Sequence, residues 1–221
     1  MSHYQEDYER LVTRLTAAYP REQAMSMAVG GDFIATGDKE YAILKHFGLR
    51  PESYLIDVGC GSGRLTHALF RANWTGNYLG VEIVQSLLDH AQTQAQQHWH
   101  FQITDGLTIN TTRYGLADMI CFFSVLTHLK PEEGYVYLEQ AYAALKTGGR
   151  AVVSYLSYAY HWSIFAESLD RIRRRAPADH LNTFLQPETL ALWASELGFR
   201  VVTLNSQVCP DFGQSLCILE K

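Results

Sequence analysis

The chain has 221 residues, 47% apolar and 19% charged, a balance that supports one packed domain over 1–221 and excludes a disordered chain. A formal net charge of -5 and a pI of about 6.0 give no global field for a phosphate backbone, so nucleic acid is an unlikely partner on charge grounds. Cys60, Cys121, Cys209 and Cys217 lack CxxC spacing, the opening MSHYQEDYER is polar and acidic, and no apolar run approaches a membrane span; together these argue for reduced thiols, no zinc site, no membrane and a cytoplasmic location.

Taken in chain order, Tyr8, Leu11, Val12, Leu15 and Ala18 recur at helical spacing until Pro20 stops the pattern. A second short helix is predicted over 38–47, ended by Gly48. The segment 1–50 thus reads as an N-terminal helical cap. From residue 54 short β-rich runs alternate with helical patterns: strand 54–58, helix 64–72, strand 78–81, helix 84–97, strand 99–103, strand 117–122, helix 132–146 and strand 150–155. Apolar strands alternating with helices imply right-handed crossovers and a parallel, doubly wound α/β sheet. An aromatic-rich stretch, 156–185, reads as a helical insertion after the fifth strand. Helix 187–197 and strands 199–204 and 215–219 close the chain, the last two strands as an antiparallel hairpin.

The most informative segment is LIDVGCGSGRL, residues 55–65: an apolar strand ending in Asp57, a turn with Gly59, Gly61 and Gly63 around Cys60, and a helix start. Glycines allow positive φ and close backbone approach, and a helix start offers N–H groups to a ligand. Glycines also serve plain tight turns, so the loop alone leaves the ligand open. A dinucleotide fingerprint would place Gly or Ala at position 64, where this chain has Arg64.

Two more acids follow successive strands. Glu82 ends strand 78–81, roughly 20 residues beyond the loop, where a carboxylate can accept from ribose hydroxyls. Asp105, followed by Gly106, comes after strand 99–103, where it can accept from an adenine amine while the glycine admits the base edge.

With these pieces the chain resembles the class I S-adenosylmethionine-dependent methyltransferases. The resemblance rests on LIDVGCGSGRLTHAL, YLGVEI, ITDG, ADMICFFSVLTHL and YLEQAYAALKTGGRAVVSYL, and more weakly on FLQPETLALWASELGFRVVTL and GQSLCILEK. It implies a Rossmann-like seven-stranded sheet of order 3-2-1-4-5-7-6 with strand 7 antiparallel. It implies S-adenosylmethionine as cofactor, with Asp57 and the Gly59, Cys60, Gly61 and Gly63 turn near the methionine moiety. It further implies Glu82 and Ile83 at the ribose and Asp105 and Gly106 beside the adenine.

The resemblance also implies in-line transfer of a methyl group, for which alignment supplies much of the acceleration and a base is optional. His128 follows strand 117–122 at the carboxyl edge of the sheet and is the candidate base; its bland alternative is a packing role under the next helix. Ser124, in the same loop, is expected to line the cofactor pocket. The aromatics of 156–185 most simply form the core of an added helix, with some of them and the cap expected to face a small-molecule acceptor, and Arg171 to Arg175 most simply form a solvated helix face. No metal is expected, because Asp118 starts strand four while Ser154 and Tyr155 end strand five without a carboxylate cluster. A nucleic-acid or protein methyltransferase and a non-catalytic cofactor-binding subunit are the alternatives. FFSV at 122–125 departs from the Asn/Asp-Pro-Pro-aromatic motif typical of nucleic-acid amino methylation.

Overall fold

Three helices precede the first strand: α1 (His3–Ala18), α2 (Arg21–Ala28) and α3 (Phe33–His46). The computed structural model describes residues 3–105, 107–109, 114–176, 178, 180–206 and 212–221, with 205 and 206 described by backbone alone. Helix α2 was not expected from the sequence. Pro20 stops α1 and then serves as the N-cap of α2 (φ -54°, ψ 147°), where a missing N–H costs nothing. Helix α3 begins five residues before the expected 38. The Asp32 carboxylate accepts from Ala35 N at 2.9 Å and caps it, so the helix runs on through Gly37.

The remaining elements are β1 (Tyr54–Val58), α4 (Arg64–Arg71), β2 (Asn77–Glu82), α5 (Gln85–Thr93), β3 (His100–Ile103), β4 (Ala117–Phe122), a 3-10 turn (Leu126–His128), α6 (Pro131–Ala144), β5 (Leu145–Tyr155), α7 (Trp162–Arg173), α8 (Pro187–Leu197), β6 (Arg200–Ser206) and β7 (Ser215–Glu220). The strands form one sheet of order β3-β2-β1-β4-β5-β7-β6. Its first five strands pair in parallel and β7 runs antiparallel to both neighbours. This is the expected seven-stranded topology.

The two faces of the sheet follow the period of two along each strand. Ile56, Val58, Ile120, Phe122, Ala151 and Val153 pack with Leu138, Ala141, Leu190 and Ala194 of α6 and α8. Leu55, Met119, Cys121 and Val152 face the other way, onto Ile43 and Leu44 of α3 and Leu65 and Leu69 of α4. A third cluster joins Val12 and Leu15 of α1 to Ala24 and Met25 of α2 and to Val84 and Leu87 at the start of α5. That cluster holds the N-terminal helices over the carboxyl edge of the sheet. Helix α7 has no buried residue and is held by Phe165 against Tyr158 and Phe184. Cys60, Cys121 and Cys217 are buried and free; Cys209 lies outside the described residues. No helix among the described residues is long and apolar enough to cross a membrane.

Candidate active site

One cleft opens at the carboxyl ends of β1, β2 and β4, with about 880 Å3 of empty space including its mouth. Open α/β sheets place ligands at this edge, where strand order reverses between β1 and β4. The glycine turn forms one wall. Gly59, Gly61 and Gly63 have φ of 71°, 56° and 91°, conformations that residues with a Cβ rarely adopt. Each is also crowded: an added Cβ would meet Val125 Cγ2 at 2.6 Å from Gly59, Val29 Cγ1 at 2.6 Å from Gly61, and Ala91 Cα at 2.7 Å from Gly63. The first two glycines therefore face the cleft and its cap, and the third lets α4 pack on α5.

The turn's amides are committed within the protein. Gly59 N and Cys60 N donate to Val81 O at 2.8 and 3.1 Å. Gly61 N donates to Glu82 Oε2 at 2.9 Å, and Ile83 N and Val84 N to Glu82 Oε1 at 2.7 and 3.0 Å. Burial raises the Glu82 carboxyl above the ordinary range, with these three amides opposing the rise. Asp57, buried at the end of β1, accepts from Tyr78 Oη at 2.7 Å and Cys121 Sγ at 3.4 Å. Its carboxyl is likewise raised by burial.

Behind the glycine turn lies an ion pair that sequence reasoning missed. Arg64, the first residue of α4, donates from Nε to Glu40 Oε1 at 2.8 Å and places Nη2 2.6 Å from the same oxygen. Its Nη1 donates to Val29 O and Gly30 O at 2.8 and 3.2 Å, closing the α2–α3 turn onto the loop. Two further ties hold α2 there: Ser62 Oγ donates to Met25 O at 2.9 Å, and His90 spans Ser62 O and Glu22 Oε2. A signal for Glu40 was present in the sequence. It occupies the buried stripe of α3 with Gly37, Ile43 and Leu44, a position where a carboxylate needs a partner.

The opposite wall is aromatic. Tyr4 and Tyr8 of α1, Tyr137 of α6, and His128 and Leu129 line it. His128 Nδ1 donates to Leu181 O at 2.8 Å, which leaves Nε2 as the lone-pair nitrogen of the neutral ring. Burial lowers the His128 pKa to about 4, so the ring is neutral at neutral pH. Tyr8 stands edge-on to His128 at 5.6 Å between ring centroids, and His180 stands edge-on to it at 4.5 Å. Burial pushes the phenols of Tyr8 and Tyr137 well above their ordinary value. Between the two walls, Ser124 adopts φ 60°; its N donates to Ser154 Oγ at 2.7 Å and its Oγ accepts from Gln214 Nε2 at 2.9 Å.

Of the residues singled out in sequence, Asp57, Gly59, Cys60, Gly61, Glu82, Ile83, Ser124 and His128 line this one cleft. Gly63 sits behind it, against α5. Asp105 is exposed and does not line the cleft; its Oδ1 faces Leu107 N at 3.4 Å and Thr108 Oγ1 at 3.3 Å, and the preceding Thr104 lines the cleft instead. Gly106 lies outside the described residues. The cap contributes Tyr4, Tyr8, Val29 and Glu40, whereas among the described residues the insertion contributes no lining residue and reaches the site through Leu181 and His180. Arg173, Arg174 and Arg175 are exposed away from it. Among the described residues no group of three or more His, Cys, Asp or Glu side chains is placed to hold a metal ion.

A family profile described as a methyltransferase domain matches residues 2–204. The ubiquinone biosynthesis O-methyltransferase of Coxiella burnetii is 28% identical over 161 residues, covering 69% of this chain and 65% of that protein. Its namesake from Psychrobacter arcticus is 29% identical over 152 residues, covering 66% and 58%. The chain thus spans less than two thirds of the length of these curated relatives. Magnesium protoporphyrin IX methyltransferase from Synechocystis PCC 6803, solved with bound SAH (S-adenosylhomocysteine), aligns over 97% of this chain and 98% of its own at 18% identity and a TM-score of 0.65. The S-adenosylmethionine-dependent methyltransferase SibL in its apo form aligns over 99% and 70% at 17% identity and a TM-score of 0.68. At those identities the likeness is one of fold.

Proposed function

The chain belongs to the class I S-adenosylmethionine-dependent methyltransferases, and from that premise we propose that it methylates a small-molecule acceptor seated between Tyr8, His128 and Tyr137. The cofactor supplies a methyl group on a sulfonium, which departs as a neutral thioether. The cleft suits such a cation: Asp57, Glu82 and Glu40 line it, against the one guanidinium of Arg64. Glu82 is the residue we assign to the ribose. With three amides on a carboxylate that has about four lone-pair sites, it retains about one acceptor position, so gripping two hydroxyls requires giving up an amide.

The observation that carries the acceptor reading is His128. Its Nδ1 bond to Leu181 O fixes the tautomer and leaves the lone pair on Nε2 of a neutral ring that shares the cleft with Glu82 and the glycine turn. A hydroxyl acceptor held at Nε2 can lose its proton there as its oxygen takes the methyl group. Tyr8 and Tyr137 wall this end with rings that remain un-ionised, which favours a flat, weakly polar acceptor. The curated relatives named for O-methylation in ubiquinone biosynthesis support an acceptor of small-molecule size, as does the net charge of -5. The test is a screen of metabolite extracts with methyl-labelled S-adenosylmethionine, followed by identification of the labelled product. A labelled metabolite of low mass that requires His128 is the expected result. Label appearing only in protein or nucleic acid would overturn the small-molecule reading.

A further inference from the structure

The 3-10 turn that carries His128 is three residues long, and Leu129 leaves it in an extended conformation (φ -103°, ψ 153°). So short a turn satisfies few of its own carbonyls, and the last ones need donors from elsewhere. They find them in one residue of the insertion. Thr183 N donates to Thr127 O at 2.8 Å and Thr183 Oγ1 donates to Leu129 O at 2.6 Å, so this residue holds the carbonyls on either side of His128. Two residues earlier, Leu181 O accepts from His128 Nδ1 at 2.8 Å. Segment 181–183 thus grips Thr127, His128 and Leu129 in succession.

The carbonyl that fixes the ring has little else to hold it. Leu181 lies in no helix or strand and its side chain is 39% exposed. Asn182 Nδ2 reaches only Ser168 Oγ, at 3.5 Å, on α7, which has no buried residue. Beyond Thr183 the chain is firmly tied: Leu185 N donates to Leu156 O at 2.8 Å, and Leu156 and Phe184 form a parallel bridge just past the end of β5. Thr183 is where that anchorage passes to the His128 turn.

We propose that Thr183 is a positioning residue for His128: its amide and hydroxyl clip the turn onto segment 181–183, which keeps the Leu181 carbonyl against Nδ1 and the lone pair on Nε2. The inference rests on the reading of His128 as the base and adds to it the residue that selects the tautomer. A neutral imidazole whose Nδ1 loses its acceptor can carry the proton on Nε2 instead, and that ring has no lone pair to offer there. The two bonds are separable. The amide survives most substitutions, whereas the hydroxyl is removed alone by valine, which has the shape of threonine without the donor.

The test reads the ring-nitrogen NMR signals of His128 in histidine-labelled protein, assigned by their loss in His128→Asn. In wild-type protein at neutral pH, Nδ1 is expected to carry the proton and Nε2 the lone pair. Thr183→Val is expected to shift the ratio of the two tautomers about threefold to tenfold toward protonated Nε2, the scale of one lost hydrogen bond, and Thr183→Ser to keep the wild-type pattern. A folded Thr183→Val with the wild-type pattern overturns the inference even if its melting temperature falls, because the hydroxyl is then a strut alone. Should Thr183→Val fail to fold, two other results decide: mixed tautomers in Thr183→Ser, or a wild-type Thr183 amide that exchanges as fast as those of α7, overturn it. Wild-type protein with the lone pair on Nδ1 overturns the reading of His128 as base together with the clip, an outcome distinct from failure of the clip alone.

Discussion

At the glycine-turn end of the cleft, polar side chains are answered by backbone or by each other within two or three elements adjacent in space. Glu82 holds the amides of Gly61, Ile83 and Val84, and Arg64 holds Glu40 and the α2–α3 turn. At the other end, Tyr8, His128 and His180 come from three distant segments and meet mainly through ring contacts, with the Leu181 carbonyl fixing one of them. The first end is set by the β1–α4–β2 unit with the α2–α3 turn and α3 fastened onto it by Arg64. The second is assembled from α1, the turn after β4, α6 and the insertion, and its shape follows what those separate segments bring. Such a division lets one cofactor platform serve many acceptors.

Four experiments would break or sharpen this contrast. The largest effect is expected at the assembled end: His128→Asn should lower kcat by about 10²- to 10⁴-fold, the usual range for a general base, while leaving SAH affinity within about twofold. An equal fall in SAH affinity would place His128 in cofactor binding instead. At the platform end, Gly63→Ala forces a Cβ to 2.7 Å from Ala91 Cα at φ 91° and should cost about 1–3 kcal/mol of stability, read by denaturant titration. An unaffected midpoint would show that the α4–α5 contact relaxes freely.

The two ends should also respond oppositely to acid. The His128 pKa falls from 6.5 to about 4 on folding. The unfolded chain thus binds the extra proton first, and this contribution to stability is lost as pH drops below about 6.5. The Glu40 pKa rises from 4.5 to about 7, so the folded state takes up the proton first and gains stability as pH falls from about 7 toward 4.5. Relative to wild type, His128→Asn should gain melting temperature on acidification from pH 7 to 5, and Glu40→Gln should lose it. Parallel curves would contradict the assignment of these shifts. The smallest effect concerns the insertion. Amides of α7 should exchange faster than those of Thr183 and Leu185, which donate to Thr127 O and Leu156 O at 2.8 Å each. Exchange in α7 as slow as in the sheet would make the whole insertion a rigid wall.

The same contrast governs what could be read from the sequence. The succession of strands, the glycine turn and Glu82 were legible because each is a local pattern: an apolar run, then glycines, then a carboxylate at a strand end; the order of the strands in the sheet came from the family resemblance alone. Helix α2 was missed because Pro20 was read only as a terminator, and α3 began early because the Asp32 cap outweighs Gly37. Glu40 and Tyr8 carried weak signals, a carboxylate in a buried stripe and an aromatic at helical spacing, whose meaning depends on the partner across the cleft. The pairing of His128 with Leu181 and His180 joins residues more than fifty positions apart, which no local pattern encodes. Asp105 shows the converse, since a place in the loop after β3 still leaves its side chain exposed outside the cleft lining.

The most direct measurement is calorimetric titration of SAH into wild-type protein and into Glu82→Ala, with circular dichroism confirming that both are folded. Wild-type binding that weakens in Glu82→Ala by about 1.5–3 kcal/mol, the range for hydrogen bonds to a charged group, is the result expected if this cleft holds the cofactor's ribose. Unchanged affinity in a folded Glu82→Ala protein would contradict it.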